Sequence, residues 1–214
     1  MKKINLFISL LFLFTIVNAQ PLIKTYIGGG ISLPNFKYSN NYGKDAYPRS
    51  IYQGYTVGAF AKTSLFGSQM EMTFGLNLIQ AGAIDNAPLN PFYKELKVRL
   101  NYLQSEFYLS THIKFIELCG GFYLNNALNG KKVSTKMDGT NASSDIKFGI
   151  YSDNGDEMHK SDFGVSLKTI VNISKLKLII GYYKGIDNIS TVVEEDVRNK
   201  IFTIGMAYPI FRNN

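Results

Sequence analysis

The sequence predicts an all-β protein, an eight-stranded antiparallel up-and-down transmembrane β-barrel, and three observations predict it. Its apolar segments alternate large hydrophobic with small or polar residues at period two, the pattern of a strand with two unlike faces. Ionisable side chains well inside those segments lie out of phase with the large hydrophobics, as a lipid-facing belt demands. The connections alternate short and long along the chain, which matches short periplasmic turns and longer external loops.

The first element is an export signal. Met1, Lys2 and Lys3 precede an apolar run from Ile4 to Val17, which closes on Val17-Asn18-Ala19 before Gln20. A basic start, an apolar stretch of about 7–15 residues and small residues at a cleavage point make a secretory signal peptide. The run is too short for a spanning helix, which needs about 20 apolar residues. Residues 1–19 are therefore expected to be removed, leaving residues 20–214 as one barrel domain. No Cys follows the run, which argues against a lipoprotein anchor. Loss of Lys2 and Lys3 lowers the formal charge from +7 to +5, with no basic cluster along one helix or face. That excludes a nucleic-acid footprint and leaves colloidal stability, or contact with an anionic lipid surface, as the meaning of the excess. Cys119 has no second Cys to pair with and reads as a buried small apolar residue.

The strands follow in order, each near the 9–11 residues that a tilted strand needs to cross a bilayer. The first, Lys24–Leu33, sets Ile27 and Ile31 against Lys24, Tyr26 and Ser32. The second, Gln53–Leu65, turns Tyr55, Val57, Ala59 and Ala61 outward and Thr56, Gly58, Phe60, Lys62 and Ser64 inward. The third, Met70–Gln80, opposes Met72, Phe74, Leu76 and Leu78 to Glu71, Thr73, Gly75 and Asn77. The fourth, Asn101–Ile113, opposes Leu103, Phe107, Leu109 and Ile113 to Gln104, Glu106, Ser110 and His112. The fifth, Ile116–Leu128, opposes Leu118, Phe122 and Leu124 to Glu117, Cys119, Tyr123 and Asn125. In the sixth, Phe163 to Ile173 alternate against Ser166, Lys168 and Asn172; in the seventh, Leu176 to Tyr182 alternate against Lys177, Ile179 and Tyr183. The last, Phe202–Ile210, turns Phe202, Ile204, Met206, Tyr208 and Ile210 outward.

On this register Lys24, Lys62, Glu71, Glu106, Glu117, Lys168 and Lys177 all point inward, and among the segment charges only Lys184 points outward, near a strand end where it can snorkel. Tight turns are expected at Phe66–Gln69, Lys114–Phe115 and Ser174, and the longest external segment at Asn129–Ser161. A lipocalin-like soluble barrel also alternates, but with its apolar face inward; here the wider apolar face carries Tyr and Phe and the other face Gly, Ser, Thr and Asn.

Several stretches resemble the PorT-like outer-membrane β-barrel family of Bacteroidetes. Tyr102-Leu103-Gln104 is similar to that family's Tyr-Leu-Glu, and Gly121-Phe122-Tyr123-Leu124 to its Gly-Pro-Tyr-Leu. Asp162-Phe163-Gly164 opens the sixth strand as it does there, and Gly185-Ile186-Asp187-Asn188-Ile189 resembles its Gly-Leu-Thr-Asn-Ile. The resemblance spans nearly the whole mature chain through the order and spacing of these motifs. It implies an eight-stranded barrel in the outer membrane of a Gram-negative bacterium, some relatives of which are associated with protein secretion machinery. The chain departs from that pattern at Ile179 and Gly181, where the family often has a polar inward pair, and at Ile210, where it closes on an aromatic.

An eight-stranded barrel has an interior just wide enough for side chains. The inward set Lys24, Lys62, Glu71, Glu106, His112, Glu117, Lys168 and Lys177 is therefore expected to form a structural ion-pair network, since buried charges need partners. A hairpin turning at Lys114–Phe115 puts His112 across from Glu117 and Glu106 across from Tyr123; one turning at Ser174 puts Asn172 across from Lys177. Of the two imidazoles, His112 falls at the periplasmic end of the lumen and His159 in an external loop, with no G-x-S-x-G elbow beside either. No Cys/His pattern suggests a metal, and Asp153-Asn154-Gly155-Asp156-Glu157 lacks the alternating spacing of a calcium loop and reads as a solvated turn. Glu194-Glu195-Asp196 reads likewise, and Asn141, Asn172 and Asn188 each open a short glycosylation-type triplet of low specificity.

The function expected is that of a non-enzymatic structural or interaction protein, accessory to protein secretion, whose external loops do the variable work. Its partners would be outer-membrane lipid, the barrel assembly machinery and a secretion component or surface polymer held by Asn129–Ser161. No cofactor, metal or nucleic acid enters this reading. The alternatives are a narrow channel for small solutes and an outer-membrane enzyme acting on lipid.

Overall fold

Strict alternation with no helix-period segment leaves the chain one regular choice, and strands fill almost all of the described residues. The structure is a computed structural model describing residues 23–40, 49–65, 70–85, 92–149, 155–191 and 195–211. The expected signal peptide, the turn at Phe66–Gln69, Asp153, Asn154 and Glu194 lie outside the described residues. The strands are β1 (Lys24–Asn40), β2 (Arg49–Ser50), β3 (Gly54–Leu65), β4 (Met70–Asp85), β5 (Tyr93–Ile113), β6 (Ile116–Lys136), β7 (Asn141–Asp145), β8 (Phe148–Gly149), β9 (Met158–His159), β10 (Ser161–Ile173), β11 (Leu176–Gly185) and β12 (Glu195–Phe211).

Eight of them close a ring in the order β1-β3-β4-β5-β6-β10-β11-β12. Every neighbouring pair is antiparallel, and the ring shuts where β12 returns to β1, with Ile27 opposite Tyr208 and Ile31 opposite Ile204. Closure removes the unpaired edges that a bilayer could not satisfy. The two tight turns within the described residues lie where expected: β5 and β6 join through Lys114–Phe115, and β10 and β11 through Ser174–Lys175. Lys114 and Ser174 take positive φ of 57° and 55°, a conformation that a two-residue hairpin turn demands at its first position.

The polarity of the cylinder is inverted. On the outside Leu167 is 64 % exposed and Met206 59 %, while Ile170 and Tyr102 inside are 0 % and 1 % exposed. All eight ring strands contribute large exposed hydrophobics, among them Ile31, Val57, Leu76, Leu109, Phe122, Leu167, Leu176 and Ile204. A continuous apolar surface of that extent is far beyond the few hundred Å² a soluble monomer exposes, and it is what a lipid annulus covers.

The structure departs from the sequence reading in strand length. β4, β5 and β6 run on past the belt to Asp85, back to Tyr93 and on to Lys136, and β1 and β12 extend to Asn40 and back to Glu195. The stretch expected to be one long loop, Asn129–Ser161, opens with the last turn-ward residues of β6 and then folds back as β7, which pairs Lys131 with Asp145 and Thr135 with Asn141. Above the lipid both faces of a strand can be polar, so pairing continues after the alternation that marks it has ended. A bulge at Asn101/Tyr102 leaves both Leu128 and Asn129 exposed and shifts the register between the two halves of β5 and β6.

Candidate functional site

Because successive side chains alternate faces, each ring strand delivers every second residue to the lumen, and those residues stack in three tiers. The tier at the tight-turn end gathers side chains from β1, β3, β4, β5, β6, β10 and β11. Lys62 reaches Glu71 at 2.6 Å and also pairs with Glu117. Lys177 holds Glu117 at 2.5 Å and donates to Asn172 Oδ1 at 2.6 Å, while Asn172 Nδ2 donates to Glu117 Oε1 at 3.2 Å. His112 Nε2 lies 2.5 Å from Glu71, and Lys24, at the mouth, approaches Glu71 at 3.8 Å. Glu117 is fully buried and Lys62 almost so.

In the middle tier Lys168 and Glu106 pair at 2.6 Å, and the Tyr183 hydroxyl donates to Glu106 at 3.2 Å. The Lys168 ammonium sits 4.5 Å from the centre of the Tyr108 ring, so an aromatic face shares its charge. Gly75 and Gly181 stand opposite these two long side chains in the register. A Cβ on Gly75 would lie 2.8 Å from Glu106 Cγ, so the strand is glycine there because the carboxylate arm lies across it.

The upper tier is mainly apolar. Ile79, Ala81, Leu100, Tyr102, Tyr123, Ala127, Tyr183, Val197 and Ile201 form one buried cluster, and Ile146 and Ile189 of the external connections join it, with Phe148 and Met158 packed against it. Within it the buried Asp162 accepts from Asn125 Nδ2 and Asn199 Nδ2, both at 2.9 Å, and from the Tyr123 hydroxyl at 3.4 Å. The backbone fastens this cover: Ile146 N donates to Gly130 O at 3.0 Å and His159 N to Ile189 O at 2.8 Å. A cavity of about 50 Å³ lies in the middle tier, and a wider vestibule of about 250 Å³ opens at the tight-turn end beside His112, Glu117 and Lys177.

The structure therefore gathers Lys24, Lys62, Glu71, His112, Glu117 and Lys177 into one cluster and Glu106 with Lys168 into another. The register sets His112 opposite Glu117, Glu106 opposite Tyr123 and Asn172 opposite Lys177. His112 reaches past Glu117, at 4.0 Å, to the nearer Glu71. Gln104 and Tyr183 line the lumen as the alternation predicts, whereas sequence reasoning missed Asp162, Asn199, Tyr102 and Tyr108 as lumen polar groups. Asp162 was readable, since it stands in phase with Ser166 and Lys168 at the opening of the sixth strand, just ahead of the alternating run that begins at Phe163.

Glu71, His112 and Glu117 offer ligand atoms within 4.8 Å of one another. Both carboxylates are already neutralised by the ammonium groups of Lys62 and Lys177, so a cation would have to displace a buried lysine, and the chemistry is that of a salt-bridge network. Cys119 is buried and free, packed with Tyr108 and Ile170.

No protein-family model matches the chain, and no curated protein matches it. Among solved structures it is similar to the attachment invasion locus protein Ail of Yersinia pestis, crystallised with the heparin analogue sucrose octasulfate, at 12% identity over 88% of this chain and 99% of that chain, TM-score 0.47. It is also similar to Neisserial surface protein A, at 11% identity over 86% of this chain and 96% of that one, TM-score 0.49. A third likeness is to the outer membrane protein OprG from Pseudomonas aeruginosa, at 11% identity over 90% and 98% of the two chains, TM-score 0.39. Likenesses of this degree transfer no residue role; the closed register ring and the exposed apolar belt define the barrel here.

Proposed function

We propose that this chain is an outer-membrane β-barrel with a closed lumen that works as a structural or interaction protein through its external extensions, as an accessory to secretion of the kind the PorT-like resemblance implies. The observation that carries the reading is the upper tier. Where a channel needs a continuous aqueous path, this barrel has Ile79, Leu100, Tyr102, Tyr123 and Ile201 packed together, with Ile146 and Ile189 closed over them. What remains available outside is the β5–β6–β7 extension, and every residue of β7 is exposed. Among the described residues the outer edge of β7 pairs with no strand, so it presents backbone donors and acceptors to a partner, the arrangement used in strand addition.

On this reading neither histidine acts as a catalytic base, and His112→Ala and His159→Ala leave the phenotype of the strain unchanged. Two measurements test the proposal. The purified barrel in planar bilayers should give no steady single-channel steps, and reproducible steps would overturn the closed lumen. Replacing residues 134–142 by Asn-Gly closes the hairpin at the Val133–Ser143 pair and removes the end of β6, the turn, and Asn141 and Ala142 of β7. A companion cross-linked to the wild-type barrel in intact cells should be lost from this variant. Retention of every companion would overturn the role of the extension.

A further inference from the structure

The longer strands carry a set of outward cations that lie beyond the segments read from the sequence. Lys184 on β11 stands directly opposite Lys200 on β12, and Arg198 on β12 directly opposite Lys37 on β1. All four share the exterior face, being in phase with the exposed Tyr182, Phe202 and Ile31. Lys200 and Arg198 are two residues apart on one strand, so the two opposed pairs form a single patch across β11, β12 and β1. Like charges directly opposite in a sheet destabilise it. Here two such pairs are neighbours.

Among the described residues counter-charge is thin. Asp196 pairs with Arg198 at 2.8 Å. Asp187, three residues beyond Lys184, accepts from the Phe163 amide at 3.2 Å. Among the described residues no carboxylate is in ion-pair contact with Lys37, Lys184 or Lys200. A third opposed pair, Arg99 and Lys131 on the far side of the barrel, has Asp145 of β7 opposite Lys131. Among the described residues the patch on β11, β12 and β1 has no such acidic strand beside it.

Its height on the barrel decides what can neutralise it. Tyr182 and Phe202 form the cross-strand pair immediately below Lys184 and Lys200, at the upper border of the apolar belt. Directly beneath them the lipid face is hollow. A groove of about 530 Å³ is lined by Leu118, Gly120, Leu167, Ile180, Tyr182 and Phe202. Gly120 leaves it open: a Cβ there would meet nothing closer than Leu167 Cδ2 at 3.8 Å. The patch lies at the end opposite the tight turns, which is the external leaflet of an outer membrane.

We propose that this face binds a lipid with a phosphorylated sugar head group in the outer leaflet, with Lys184, Lys200, Lys37 and Arg198 on the phosphates and an acyl chain in the groove below. Four cations against one paired carboxylate among the described residues suit a head group bearing more than one phosphate. Arg198 contributes directional donors and the lysines point charges. The inference rests on the outer-membrane reading above and adds to it a defined ligand and its seat.

The test uses the mature barrel refolded in detergent and native mass spectrometry with an added bisphosphorylated acylated disaccharide. Lys184→Gln/Lys200→Gln should weaken binding about thirtyfold, the combined weight of two cations at an anionic lipid surface. Arg99→Gln/Lys131→Gln, on the opposite side, should leave it unchanged. Gly120→Leu, which fills the groove, should weaken the lipid without changing the weak binding of inorganic pyrophosphate. The dephosphorylated lipid should bind the wild type no better than it binds the lysine variant. Equal binding by wild type and Lys184→Gln/Lys200→Gln overturns the phosphate site, and pyrophosphate competing as well as the lipid overturns the acyl seat. A mature chain that folds in plain buffer without detergent sinks the membrane reading itself; a detergent-folded barrel with no lipid preference sinks only this inference.

Discussion

Lys168 and Glu106 form the most isolated ion pair of the lumen, and a double-mutant cycle on them reads the lumen's polarity directly. They are 7 % and 3 % exposed and 2.6 Å apart, with the Tyr183 hydroxyl on Glu106 and the Tyr108 face under Lys168. Removing one member of a buried pair strands the other and costs about 3–5 kcal/mol. Glu106→Gln should fall at the lower end, because the Tyr108 ring still holds the ammonium with about 1 kcal/mol. Lys168→Met should fall at the upper end, because Glu106 then keeps one hydroxyl donor against a full charge. The double variant removes both charges, and replacing a buried pair by neutral groups of similar volume is often neutral. With single costs near the two ends of that range and a near-neutral double variant, the cycle should show a coupling of several kcal/mol, at most about 8. The chain has no Trp, so urea unfolding in phospholipid vesicles is followed by far-ultraviolet circular dichroism and by the heat-modifiable gel mobility of the folded barrel. Additivity of the two substitutions within about 0.5 kcal/mol would refute a shared, desolvated lumen.

Three further outcomes are expected. Leu76→Lys puts a charge on the lipid face and should destabilise the barrel by about 2–4 kcal/mol if the site is near the midplane, whereas Leu76→Ile should be close to neutral; equal effects in the same urea titration would contradict a lipid-facing β4. Cys119 should resist maleimide in the folded barrel and react after unfolding in urea, and labelling of the folded protein at the unfolded rate would show that the lumen wall is open there. At the tip between β6 and β7 the Thr140 hydroxyl and amide donate to Asp138 at 2.7 and 2.8 Å and hold its carboxyl below the usual range. A depressed folded-state pKa stabilises the turn above the ordinary carboxylate pKa, and this is lost as pH falls through the depressed value. Proteolytic nicking at residues 137–140 should rise only on strong acidification, and Asp138→Asn should remove that pH dependence.

The belt was legible in the sequence because lipid imposes a rule on every second residue. Phe74, Leu76 and Leu78 against Glu71, Thr73 and Gly75 could be assigned to opposite faces with no knowledge of their neighbours. The lumen pairs across hairpins were legible too, since a two-residue turn at Lys114–Phe115 sets the register for His112 and Glu117. Pairs between distant strands were not. Lys62 and Glu117 meet across the barrel, as do Lys168 and Glu106, and no local pattern ties β3 to β6 or β10 to β5. Such contacts follow from the tilt and stagger of the closed ring, which a single sequence does not display.

The unread parts share one physical cause, and it bears on where the specific work of this barrel lies. Within the bilayer the environment constrains both faces, so the sequence there encodes a barrel and little else. Above it, β5 and β6 keep pairing through Lys97 with Val133 and Arg99 with Lys131, where an outward lysine costs nothing to solvate. Freed from the lipid rule, these residues lose the alternation that would have revealed them, and they gain the freedom to carry charge. The outward cations were for that reason read as one snorkelling Lys184, when the extended strands set it opposite Lys200 and beside Lys37 and Arg198. A strand that had to satisfy only its own hydrogen bonds would gain nothing by opposing cations twice in succession, and it would pay the repulsion each time. An anion outside the protein relieves both pairs at once, and the border between the apolar belt and water is where a lipid phosphate sits.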